Sequence, residues 1–217
     1  IHTGDFKIDP SPVDGKHFDM PAFASYGQRG VLALFSDSTN SVRSGYTPSE
    51  SAVEDRFDAI FRAATGRVVV SCFTSAIHRI QIIANVARRH GRRVSFLGKR
   101  MLANTESARS LECLDLPSNI VMGPKEIKNQ PREKICVIVS GCQGEPRSAM
   151  ARVALARHKD LTLEPGDTVV LSSRMIPGNE KKISRMMDHL YRRDAKVFYN
   201  DGSTPPVHVS GHASAEE

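Results

Sequence analysis

The segment His208-Val-Ser-Gly-His212 sets two imidazoles four positions apart around a serine and a glycine, directly after Pro205-Pro206. Proline and glycine both disfavour a helix here and favour a strand followed by a turn. Such a turn gathers the Ser210 hydroxyl, the Gly211 N–H and two rings around one small volume, which is a receptor for a phosphate. A histidine there can also protonate a leaving oxygen near neutral pH. The plainer alternative is two structural histidines at a domain seam. Asp5, after Thr3-Gly4, is a carboxylate on a flexible hinge that can reach a metal ion, or a turn former bonded to its own backbone. Asp37, in Ser36-Asp37-Ser38-Thr39-Asn40, follows an apolar run and suits an acceptor that orients a histidine. A polar cap between strand and loop is its alternative role.

Two further loops carry groups that suit anions. Ser140-Gly141-Cys142-Gln143-Gly144-Glu145-Pro146 joins an apolar run to a helical one, so its backbone N–H groups can face an anion at a helix N-terminus. It has neither the Gly-Lys-Ser/Thr of a Walker loop nor a Gly-x-Gly-x-x-Gly fingerprint. Ser172-Ser173-Arg174-Met175-Ile176-Pro177-Gly178 is a loop of the same kind with an added cation. On local pattern alone, both are tight strand-to-helix turns.

The elements that must position these groups alternate between β-branched runs and amphipathic stretches, the pattern of an α/β domain with a largely parallel sheet. Strands are expected at 31–35, 67–71, 94–97, 120–122, 135–139, 168–171 and 196–199, with Ile1 to Asp9 as an opening strand. Thr47-Pro48-Ser49-Glu50 supplies an N-cap, a proline at the first helical position and a glutamate three after the cap, which predicts a helix over 48–64. Further helices are expected at 75–89, 99–114, 147–157 and 178–193, the last capped by Asn179. Residues 10–30 break the alternation and read as a linker or β-excursion.

The chain has 217 residues, 40% apolar and 25% charged, enough for one substantial core or a core with a small appended lobe. It lacks an apolar run long enough to span a bilayer and the charged-then-apolar start of a signal peptide. A soluble, cytoplasmic protein with no membrane partner is therefore expected. Cys72, Cys113, Cys136 and Cys142 show no Cys-x-x-Cys spacing; reduced structural thiols fit that pattern, with a zinc knot or a disulfide pair as the alternative. A net charge of +6 tilts the partner towards a polyanion. Its basic residues cluster in 88–93, in Lys181-Lys182 with Arg185, and in Arg192-Arg193, although each cluster is equally a solvated helix end. The start without methionine and the close on His212-Ala-Ser-Ala-Glu-Glu read as a fragment of a longer protein.

Taken together, the segments resemble the β-CASP branch of the metallo-β-lactamase-fold nucleases, and within it the ribonuclease J family. Thr3-Gly4-Asp5-Phe6-Lys7 is similar to the superfamily motif whose aspartate bridges two zinc ions. Asp37 is similar to the motif A acid and His212, in His-Val-Ser-Gly-His-Ala, to the motif B histidine. Phe73 to Gln81 with His78, Gly141 to Pro146, and Ile176 to Glu180 resemble other stretches typical of that family.

The resemblance implies a three-layer α/β β-CASP domain, with a mainly parallel sheet flanked by helices, at 31–205. Residues 1–30 would then end the metallo-β-lactamase domain and lead into a linker, and 206–217 would return towards it. It implies zinc-dependent hydrolysis of RNA, 5′-to-3′ exonuclease and endonuclease, with Asp37 and His212 catalytic and Asp5 on the metal. His208, Ser210 and Gly211 would receive a 5′-monophosphate, and Ser140, Gly141, Gln143, Arg174 and His78 would line the RNA path. The resemblance further implies two Zn²⁺ ions in the complete enzyme and a homodimeric assembly. The other histidine ligands of that enzyme are missing from this sequence, so the chain alone is expected to be inactive and to hold zinc weakly or not at all. The competing readings are a non-catalytic module that binds RNA and phosphate, a DNA-processing β-CASP nuclease, and a nucleotide-binding α/β domain.

Overall fold

Val68-Val69-Val70 is apolar without a break, and such a run forms a strand covered on both faces rather than one face of an exposed sheet. It is the centre of the sheet. The computed structural model describes residues 1–217. In chain order the helices are α1 (Met20–Arg29), α2 (Glu54–Ala63), α3 (Ile77–Arg89), α4 (Lys99–Ser110), α5 (Ala149–Ala154) and α6 (Glu180–Tyr191). The strands are β1 (Val68–Ser71), β2 (Arg93–Leu97), β3 (Ile135–Val139), β4 (Thr168–Leu171) and β5 (Lys196–Tyr199). The chain divides into a larger unit, Val53–His208, and a smaller one made of Ile1–Ala52 and Val209–Glu217.

The larger unit is the α/β body that the alternation predicts. Its five strands are all parallel in the order β2-β3-β1-β4-β5, with Val69 in register with Val137 on one side and Val169 on the other. One face, carrying Val69, Val137, Val139, Val169 and Leu171, packs with Met150 and Val153 of α5 and Met186 and Leu190 of α6. The pleat turns Val68, Val70, Ile138 and Val170 to the opposite face. Those residues are buried too, and Phe57, Ile60, Phe61, Ile80 and Ile83 of α2 and α3 supply the buried apolar surface of that layer. The strand starts are tied together by Asp167, a carboxylate with 0% exposure. It accepts from Arg67 N at 2.9 Å, Arg67 Nη1 at 3.0 Å, Arg132 Nη2 at 2.8 Å and Glu164 N at 3.0 Å.

Several expected boundaries move, each for a local reason. Residues 31–35 and the opening run do not form strands; they meet in a single parallel bridge, His2 with Phe35. Leu32 and Leu34 are exposed, so apolar composition there reflects no buried sheet face. Ile120 to Met122 likewise gives only a bridge, Val121 with Val94, beside β2. Residues 10–30 contain α1, capped by the Asp19 carboxylate on Ala22 N at 3.1 Å, with proline at its start. The expected helix over 48–64 is a 3₁₀ turn over Glu50–Val53 followed by α2. Thr47 is no N-cap, because its hydroxyl donates to His212 O at 2.8 Å. Asn179 makes no side-chain cap either and instead takes Lys182 Nζ at 3.0 Å. The helix expected over 99–114 stops at Ser110, where Glu112 turns to positive φ. That over 147–157 shortens to α5, started by Ser148 as N-cap and ended before Ala156, also at positive φ.

All four cysteines are free thiols. Burial pushes the Cys136 thiol up to about 12, as expected of an inert core group. No helix is long and apolar enough to cross a membrane.

Candidate functional site

In the smaller unit, two extended segments run side by side. Phe35 N donates to Ile1 O at 2.8 Å and Thr3 N to Phe35 O at 3.0 Å, and Thr3 Oγ1 accepts Asp37 N at 3.1 Å. This pairing brings Asp5 and Asp37 to the same end. Gly4, at φ +64°, makes the turn between Thr3 and Asp5, a conformation that favours glycine. His212 joins them with Nδ1 at 2.7 Å from Asp37 Oδ2, and one ligand atom from each of Asp5, Asp37 and His212 lies within 4.8 Å of the others.

The dyad of Asp37 and His212 is held from behind. His212 N donates to Ser210 Oγ at 3.1 Å, and His212 O accepts Thr47 Oγ1 at 2.8 Å and Asn40 Nδ2 at 3.1 Å. Burial raises the Asp37 carboxyl, but hydrogen bonds from the Thr39 N–H and hydroxyl and from His212 outweigh it and hold the group at about 2. Asp37 is therefore an anion that only accepts, so His212 Nδ1 carries the proton and Nε2 is the atom left for chemistry. Two carboxylates and an imidazole also form a donor set suited to a borderline divalent ion. Three ligands are fewer than the four that one structural zinc takes.

Beside the dyad, Ser210 Oγ accepts both Asn40 Nδ2, at 2.9 Å, and His212 N. With both lone pairs engaged, its hydroxyl hydrogen points away from these partners as a donor. The exposed Gly211 places an N–H next to it in the chain. Lys7 Nζ, 3.2 Å from Ser210 O, adds a positive charge at the same turn.

In the larger unit, the other predicted residues gather at the C-terminal ends of the adjacent strands β3, β1 and β4, where open parallel sheets place ligands. Ser140 follows β3, its N donating to Leu97 O at 3.1 Å. Gly141 has φ +107° and faces Ser148, leaving no room for a Cβ. Gln143 is buried and its amide is committed: Nε2 donates to Arg174 O at 2.8 Å and Oε1 accepts Ile176 N at 3.0 Å. Gln143 therefore locks the 140–146 loop to the 172–178 loop. Arg174 is half-buried in that second loop, and His78 is exposed in the first turn of α3.

His208 belongs to this unit, and its Nδ1 lies 3.2 Å from Nη1 of Arg79. The bonds made by Arg79, Ser172, Asn40 and Thr47 are not anticipated by the sequence, although Ser172, Asn40 and Thr47 fall in segments singled out for other reasons. Arg79 left a trace: it sits at helical spacing from Ile83 and Val86 on the buried stripe of α3, where an arginine needs a specific partner. Asn40 and Thr47 lie in irregular chain and carry no periodic signal.

The basic clusters separate into structural and open ones. Arg92 is buried and donates to the carbonyls of Gly66 at 2.7 Å and Ala64 at 2.7 Å, and Arg89 pairs with Glu54 at 2.5 Å. Lys181, Lys182, Arg185, His189 and Arg157, by contrast, line one cleft of about 460 Å³ between α5 and α6, with no carboxylate in its wall.

Comparison with known proteins shows the family to which the chain belongs. The family model described as ribonuclease J, beta-CASP domain, matches residues 65–190. The whole chain is similar to the ribonuclease J of Synechocystis sp., at 42% identity over 217 residues and 34% of that protein's length. It is similar to ribonuclease J of Helicobacter pylori at 41% identity and 31% of its length, and to that of Thermus thermophilus at 42% and 37%. The chain spans about a third of the length of the curated relatives it matches.

Proposed function

Since the chain belongs to the ribonuclease J family by its β-CASP domain, we propose that it is the substrate-gripping part of a longer zinc-dependent ribonuclease, the parent enzyme. That enzyme hydrolyses RNA phosphodiesters both from a 5′-monophosphate end and internally. The observation that carries this reading is the Asp37–His212 dyad at 2.7 Å with Asp5 beside it. Asp37 fixes the His212 ring and its tautomer. When Nε2 also takes up a proton, the Asp37 carboxylate stabilises the imidazolium, and the Nε2–H can pass that proton to the leaving oxygen or stabilise charge on the scissile phosphate. Ser210 O–H and the Gly211 N–H receive the 5′-phosphate or its neighbour, and His208, in the larger unit, is a further phosphate ligand. The turns that carry Ser140, Gly141, Arg174 and His78 run along the RNA backbone.

Asp5 would hold metal in this enzyme, and two zinc ions, when bound, supply an activated water for in-line attack. The donors of this chain fit one side of such a centre and are too few to close it. The chain alone therefore binds RNA without cutting it. Cytoplasmic location and a homodimeric parent complete the proposal.

The test compares the chain with the parent enzyme on RNA ending in a 5′-monophosphate or a 5′-hydroxyl. The chain should bind the monophosphate end more tightly without turnover, and the parent should cleave it with zinc. Stoichiometric tight zinc with turnover by the chain alone would refute the division of labour. Equal affinity for the two ends would remove the phosphate pocket.

A further inference from the structure

We infer that Arg79 is a positioning residue that locks His208 in its Nε2–H tautomer, so that the neutral ring presents a fixed hydrogen-bond donor to a phosphate oxygen. The inference rests on the reading of His208 as a phosphate ligand. Arg79 is 2% exposed, and its guanidinium has hydrogens to give and no lone pair to accept with. Its Nη1 lies 2.6 Å from Ser172 Oγ, 3.2 Å from His208 Nδ1 and, more distantly, 3.4 Å from Val207 O.

The direction of each bond follows from the donor inventory. Ser172 Oγ gives its single hydrogen to Val207 O at 2.7 Å, so a lone pair is what it turns to Arg79. One Nη1 hydrogen meets that lone pair. The second meets His208 Nδ1, which must also offer a lone pair, because a proton there would set N–H against N–H beside a permanent cation. The ring proton then resides on Nε2. Position is fixed by the same network: Ser172 follows β4 directly, and its bond to Val207 O holds the backbone one residue before His208.

His208 and His212 are thereby set to opposite tasks by their partners. A carboxylate on Nδ1 leaves His212 Nε2 able to lose or take a proton. A guanidinium on Nδ1 leaves His208 Nε2 with its proton, as a donor that does not depend on protonation of the ring. One motif thus holds a group suited to moving a proton and a group suited to gripping an anion.

The direct test is a two-bond ¹H–¹⁵N correlation spectrum of the histidine-labelled chain at a pH where its rings are neutral, with His208 assigned from His208→Gln. A pyridine-like shift at Nδ1 and a pyrrole-like shift at Nε2 are expected, and a protonated Nδ1 overturns the inference without any variant of Arg79. Arg79→Met should give a mixed tautomer and lower the preference for 5′-monophosphate over 5′-hydroxyl RNA by roughly tenfold, the scale of one hydrogen bond to a charged group. Arg79→Lys, which keeps a cationic donor, should recover part of it. An unchanged preference in a folded Arg79→Met chain overturns the inference. Should that variant not fold, the wild-type spectrum alone decides. A His208→Gln chain with undiminished preference would instead remove the phosphate role of His208, an outcome distinct from a wrong tautomer.

Discussion

Asp37 Oδ2 stands 2.7 Å from His212 Nδ1, and this contact decides which ring nitrogen of His212 is available. Asp37→Asn keeps the shape but can turn an amide N–H towards Nδ1, which selects the other tautomer. In the proposed parent ribonuclease that substitution should lower single-turnover cleavage by about 10²–10⁴-fold. RNA affinity should change little. His212→Ala should cost a similar factor, and the double variant should be hardly worse than either, because the two residues act as a unit. Additive losses in that cycle would show that Asp37 acts apart from His212.

The same carboxylate makes a prediction about acid. Its folded-state value is lowered from 3.8 to about 2, burial being outweighed by the Thr39 and His212 hydrogen bonds. A depressed carboxylate contributes stability that is fully present above its unfolded value and fades as pH falls through the folded one. The difference in unfolding midpoint between the chain and Asp37→Asn should thus be flat above the ordinary carboxylate range and close between 3.8 and about 2. Carboxyl ¹³C titration of Asp37 reads the same group directly. A midpoint near 3.8 would show that its hydrogen bonds are not formed in solution.

Asp167 offers a test of the larger unit by itself. It is wholly buried between Arg67 and Arg132, with side-chain contacts of 3.0 and 2.8 Å. Removing one member of such a group leaves its partners short of countercharge, although Arg67 and Arg132 both keep Glu164, at 2.8 and 3.2 Å. Asp167→Ala should therefore destabilise the unit by about 3 kcal/mol in urea unfolding, the low end for a broken buried pair. Arg132→Ala, which removes the more exposed partner, should cost less. Equal costs for the two would mean that solvent reaches Asp167.

The parallel sheet was legible because unbroken apolar runs such as 68–70 and 135–139 are buried as wholes, so their period leaves little choice. The smaller unit was less so. Its few buried residues, Asn40, Thr47, Val209 and Ala213, are held by side chains bonded to backbone, as when the Glu217 carboxylate accepts Ile8 N at 2.9 Å and Thr47 N at 2.7 Å. Bonds between residues so distant in sequence leave no periodic trace, which is why an exposed run at 31–35 resembled a strand and α1 was missed. Asp5, Asp37 and His212 were picked out as chemically capable types and the structure brings them together. Gln143 was picked out by its glycine loop, and the structure commits its amide to a neighbouring turn. The role of Arg79 could not be read from pattern, since its meaning depends on residues 93 and 129 positions away.

On the proposed RNA-binding reading, the cleft between α5 and α6 allows backbone binding to be tested apart from recognition of the RNA end. Lys181, Lys182 and Arg185 project from α6 and Arg157 lies just beyond α5, over a floor that includes Ala151, Ala154 and Met186. Cations in a concave wall without carboxylates attract a phosphate chain, and each neutralised phosphate of a single strand contributes about 0.7 to the salt slope of binding. Replacing Lys181, Lys182 and Arg185 together with glutamine should therefore reduce that slope by about 2 if all three meet phosphates. The loss should be the same for 5′-monophosphate and 5′-hydroxyl RNA, because these residues read charge and not the end. Arg89→Gln serves as the control, since Arg89 is already paired with Glu54, and it should leave the slope unchanged. If the triple variant keeps the full slope, the strand does not use this cleft, and the positive charge of α6 belongs to solvent.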